Sequence, residues 1–137
     1  MIFQKQITNK TNIPILQKLL DLSSLKHRIN STNIANVTTS GYNEKKIDFE
    51  KELRNSLEKS KIKLNTTDPS HITSTSSKTK APKVYESSEE SKLSGVNNVD
   101  IDKQMAELAE NQLVYNIGAK LMAQNFQALK LAIKGRL

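Results

Sequence analysis

The chain has 137 residues, a formal net charge of +7, no cysteine and no tryptophan. Without thiols it has no disulfides, no thiol catalysis and no cysteine-ligated metal. Its hydrophobic fraction of 36% falls below the roughly 45–50% of ordinary globular chains (a tally that counts Gly), so a large private core is not expected. The charge divides as +4 over residues 1–60, +2 over 61–99 and +1 over 100–137, and no dense basic block marks a nucleic-acid surface.

Residues 1–13 read as a flexible arm, with no long apolar core or small-residue cleavage site that would make a secretory signal. From there an amphipathic pattern predicts a helix over about 14–36, with Pro14 suited to its first turn. Ile15, Leu19, Leu22, Leu25 and Ile29 form its apolar face, with Leu16 and Leu20 beside it. This could be no more than a core helix of a small bundle. The helix runs into Asn33-Ile34-Ala35-Asn36-Val37-Thr38-Thr39-Ser40-Gly41-Tyr42. Asn at a helix end tolerates left-handed backbone and Ser-Gly marks a turn, so a bend set by Asn33, Asn36 and Gly41 is expected.

A short helix follows, with Phe49, Leu53 and Leu57 at four-residue spacing and Asp48 placed to cap it. Together these elements make an N-terminal unit over 14–60. Residues 61–98 are rich in Ser and Thr and poor in apolar groups, which predicts a mobile, partly β middle segment. Lys61-Ile62-Lys63-Leu64 and Lys83-Val84-Tyr85 are its candidate strands.

The last unit, 99–137, carries the strongest pattern. Ile101, Met105, Leu108, Gln112, Tyr115, Ala119, Met122, Phe126, Leu129 and Ile133 step by four and three throughout, a heptad seam free of charge. Leu113, Ile117, Leu121, Ala128 and Leu131 form a second apolar row, so one neighbouring helix would not cover this one. Asp100 or Asp102 can cap its start, and Lys130, Lys134 and Arg136 complement the dipole at its end. Gly118 costs about 1 kcal/mol against Ala unless a neighbour packs close to it. The fold class expected is mainly α, with long terminal helices packed antiparallel around the β-containing middle. No run approaches the ~18 apolar residues of a membrane span.

Catalytic chemistry finds no footing. His27 and His71 stand apart with no clustered carboxylates, the four glycines are not grouped, and the Ser and Thr residues lack a paired base. No catalytic residue, metal ligand or cofactor is therefore expected, and function should lie in the helix faces.

The motif from Asn33 to Tyr42, placed after an N-terminal amphipathic helix, resembles the signature of bacterial flagellar rod and hook proteins. Within that family the proximal rod type is the most similar, through Val99-Asp100-Ile101-Asp102-Lys103-Gln104-Met105-Ala106-Glu107-Leu108 and the residues that follow to Tyr115. Asp68-Pro69-Ser70-His71-Ile72 and Ile47-Asp48-Phe49 fit in order and spacing. Ser40 departs from the family, which usually has Pro before the Gly. The resemblance implies an axial subunit of the basal-body rod, in the periplasm, packed through its terminal helices against other copies and other rod proteins, and transmitting torque. It implies delivery by the flagellar type III export apparatus with no cleaved signal. Phe3 and Ile7 are similar to the Phe-x-x-x-apolar export-gate motif. Two other classes stay open: a cytoplasmic coiled-coil adaptor or export chaperone, which fractionation would separate, and a nucleic-acid binder. The second would need its cations on one face, whereas Lys18, Lys26 and Arg28 alternate with Asp21 and polar groups.

Overall fold

A computed structural model describes residues 11–58, 81–87 and 97–135. Helix α1 (Ile13–Ala35) leads through a turn to strand β1 (Lys45–Ile47) and helix α2 (Phe49–Glu58). Strand β2 (Val84–Glu86) and the long helix α3 (Ile101–Lys134) complete the order. The helices begin and end where local chemistry dictates. Pro14 sits in the first turn of α1. The Asp48 carboxylate accepts from Lys51 N at 3.1 Å at the head of α2. Asp100 accepts from Asp102 N and Lys103 N at the head of α3, and Gly135, left-handed at φ 63°, closes it.

The terminal helices pack antiparallel, as their cross-contacts show: Asn33 meets Gln104, Ser23 meets Asn111, and Leu19 and Leu20 meet Gly118. Rising numbers on α3 thus face falling numbers on α1. The two helices are flush at the Asn33–Gln104 end. Since α3 has 34 residues and α1 has 23, α3 outruns its partner at the other end by roughly 16 Å at ~1.5 Å per residue. The apolar core is small and lies mostly on α1: Ile13, Leu16, Leu22 and Ile29, with Val99 just before α3. Helix α2 lies against α1.

Strands β1 and β2 pair antiparallel, Lys45 opposite Glu86 and Ile47 opposite Val84. This pairing differs from the one that the sequence suggests. Lys83–Tyr85 reads as strand from sequence, but its partner here is Lys45–Ile47, three residues whose pairing comes from about forty positions away. The Lys61–Leu64 strand expectation, like Phe3, Ile7 and His71, lies outside the described residues. Of the middle segment, residues 84–86 are held in this sheet, and Asn97 and Asn98 are buried.

One local expectation needs correction. Asn33 and Asn36 do not take left-handed backbone; among the described residues only Gly41 (φ 74°) and Gly135 do. Asn36 has φ −105°, and its side chain instead reaches back to Thr32 O at 2.8 Å. The bend comes from Gly41 and from side-chain hydrogen bonds, because an Asn amide that can bond the backbone gains more than one forced into αL.

Candidate functional site

Two features could carry function: a buried polar clasp where the helices meet, and the face that α3 turns outward. The clasp centres on Asn33, fully buried at 0% exposure. Its Nδ2 donates to Lys45 O at 2.8 Å and Gln104 Oε1 at 3.1 Å. Its Oδ1 accepts from Lys45 N at 3.0 Å and the Tyr42 hydroxyl at 2.9 Å. Both ends of the amide are therefore satisfied, the condition for burying such a group without penalty.

The network continues outward. Gln104 Nε2 donates to Glu44 Oε1 at 2.7 Å, and the other Glu44 oxygen meets Lys46 Nζ at 3.1 Å. Asn98 Oδ1 accepts from Glu44 N at 2.8 Å. Asn97 Nδ2 lies over the turn itself, within 2.6–3.2 Å of the Asn36, Val37 and Thr39 carbonyls. The end of α1, the turn, β1 and the approach to α3 are thereby tied into one unit. The motif residues divide by role: Asn33 and Tyr42 enter the clasp, Asn36 shapes the turn and Gly41 supplies its positive φ, while Ile34 is half-buried and Ala35 exposed.

Burial, with the Glu86 and Glu44 carboxylates nearby, pushes the Tyr42 hydroxyl above its ordinary pKa. It therefore stays protonated as donor to Asn33. The unfolded chain ionises first, near pH 10, so this contribution is fully present below pH 10 and lost as pH rises through the higher folded value. Tyr42→Phe is expected to cost about 1 kcal/mol at pH 7, and the gap from wild type should narrow above pH 10. Urea unfolding of both proteins between pH 7 and 11 checks this; a constant gap would contradict it.

The other feature is α3's exposed surface. Of the heptad seam, Leu108, Met122 and Leu129 are half-buried, while Ile101, Met105, Tyr115, Phe126 and Ile133 are exposed. On α1, Leu22 and Ile29 are buried, Leu19 and Leu25 half-buried and Ile15 exposed. The side of α3 that meets α1 is a different line, Gln104, Asn111 and Gly118, each buried. It runs beside the seam and had no apolar signature to give it away. Its legible signal was the seven-residue spacing of small or amide residues. Gln104, Asn111, Glu44, Asn97 and Asn98 are the structural residues that hydrophobic periodicity alone misses. Leu113 (65% exposed) and Ile117 (61%) point to the far side of α3 from α1.

A notch of about 220 Å³ between α1 and α3 is lined by Ser23, Ser24, His27, Asn111, Gln112 and Tyr115. His27 there is exposed. Among the described residues no three His, Asp or Glu side chains come together as a metal site, and no helix is long and apolar enough to cross a membrane.

A helix pair locked by amides at one end, with its longer member apolar on the outside, defines a helical structural subunit with an uncovered apolar face. Comparison with known proteins gives that class its place. The chain is 32% identical to the flagellar basal body rod protein FlgB of Bacillus subtilis over 120 residues, which is 88% of this chain and 91% of the relative. It is 28% identical to the FlgB of Borreliella burgdorferi over 90% of its length and 96% of the relative's. To the FlgB of Salmonella typhimurium it is 27% identical, over 87% of this chain and 90% of that one. No family model matches the chain. The chain belongs to the FlgB family of flagellar basal body rod proteins.

Proposed function

We propose that this rod subunit assembles laterally through the exposed apolar surface of α3, against other copies of itself and other basal-body proteins, and that the assembled helices carry torque along the rod. One observation supports this above others. Of the twelve large apolar side chains exposed among the described residues, nine lie on α3, from Ile101 to Ile133. Exposed apolar surface of that extent marks an interaction site. The seam residues Ile101, Met105, Tyr115, Phe126 and Ile133 and the far-side row of Leu113, Ile117, Leu121 and Leu131 are the anchors. Leu108, Met122 and Leu129, half-buried, complete the seam between these anchors. The face of α1 made by Ile15, Leu19, Leu22, Leu25 and Ile29 serves mainly to hold α3. Delivery through the flagellar export apparatus to a periplasmic rod, without a cleaved signal, completes the reading, with Phe3 and Ile7 as its candidate gate contact.

A strain lacking the chain, examined for basal bodies by electron microscopy, is the direct test. Loss of the rod, restored by a plasmid copy, is expected, with the protein recovered in the basal-body fraction. Intact rods without it, or a protein confined to the cytosol, would favour an adaptor or export chaperone instead.

A further inference from the structure

We infer that the residues Gln104, Asn111 and Gly118 act as a register lock that allows α1 and α3 only one alignment. The apolar heptads do not define one. In α3 the seam repeats every seven residues from Ile101 to Ile133, and α1 offers Ile15, Leu22 and Ile29 at the same interval. Sliding one helix past the other by a heptad would place apolar residues on apolar residues again. Antiparallel helices of this kind need non-repeating contacts to fix their alignment.

The line 104, 111, 118, 125 supplies them, because its four positions share one face and carry different groups: Gln, Asn, Gly, Asn. Gln104 Oε1 accepts from Asn33, near the end of α1. Asn111 Nδ2 donates to the backbone carbonyl of Ser23 at 2.9 Å. At Gly118 the helices approach closely. A Cβ there would lie 3.0 Å from Leu19 Cδ2 and 3.2 Å from Leu20 Cδ2. A slip by seven residues in one direction brings Asn125 to that point, and in the other direction Asn111. Either puts a branched polar side chain where little more than a hydrogen fits. Both slips also part Gln104 from Asn33 and Asn111 from Ser23 O, which leaves amides buried without their partners. Apolar contacts hold the helices together, and the three unlike residues choose how.

The absence of native cysteine makes this directly measurable. Gln17 and Gln112 are exposed, one on each helix. Nitroxide labels on Gln17→Cys and Gln112→Cys, spin-diluted with unlabelled protein, report the intramolecular distance by double electron–electron resonance. The parent is expected to show one narrow distribution. Gly118→Asn makes the tight point equally poor in all registers and should add a population displaced along the axis by about 10 Å, one heptad of rise. Asn111→Leu, which favours helix and apolar contact, should add the same population if Gly118→Asn loses its helix content by circular dichroism. Gly118→Ala, accommodated by a small shift of the two leucine tips, should keep the single distribution. Helical variants that all retain the parent distance unchanged would overturn the proposal.

Discussion

Asn33→Ala is expected to lower the unfolding free energy by about 3 kcal/mol, as much as truncating a core leucine. The residue is fully buried and makes four hydrogen bonds, to Lys45 N, Lys45 O, Gln104 and Tyr42. Its truncation strands the Lys45 peptide and the Gln104 amide away from water, and each buried unpaired group costs on the order of 1–3 kcal/mol. Asn36→Ala should cost nearer 1 kcal/mol, since its amide bonds Thr32 O in a half-buried turn where water can replace it. Urea unfolding followed by circular dichroism separates the two. Amide exchange at Lys45 should rise in the Asn33 variant alone. Equal losses in the two variants would mean that the clasp is not the organising contact.

Phe126→Asp should do the reverse, sparing the monomer and destroying the assembly. Phe126 is 54% exposed and lies where α3 runs past the start of α1. Its replacement removes little intramolecular contact, so helix content should stay near wild type and the melting temperature within a few degrees. Within an assembled rod the same position would bury a carboxylate against apolar neighbours, at a cost of several kcal/mol for each subunit interface. Cells carrying it should make the protein and fail to swim. Leu108→Lys makes a useful contrast: this half-buried residue also touches the intramolecular face, so both monomer stability and motility should fall. Normal swimming with Phe126→Asp would remove that residue from the assembly surface.

The elements that reach furthest from the amino-acid pattern were the easiest to anticipate. The four-and-three spacing from Ile101 to Ile133 and the amphipathic run from Ile15 to Ile29 each specify a helix, because a helix face repeats every 3.6 residues whatever surrounds it. The caps at Asp48 and Asp100 and the left-handed turn at Gly41 are equally local. So is the excess of apolar surface on α3, which no arrangement of so small a core could cover. Strand β1 was harder, since Lys45–Ile47 is too short to show a period and acquires its partner from residues 84–86.

What composition and periodicity established, then, is a pair of helices with more greasy surface than one copy can bury. Which side of α3 turns inward was decided by tertiary contacts. A pattern of hydrophobic residues tells where apolar area lies, but Gln104, Asn111 and Gly118 face α1 for hydrogen-bond geometry and close backbone approach. Those depend on atoms tens of residues apart in the chain and carry no apolar signature. The amides took the inner side, and Leu113, Ile117, Phe126 and Ile133 were left exposed.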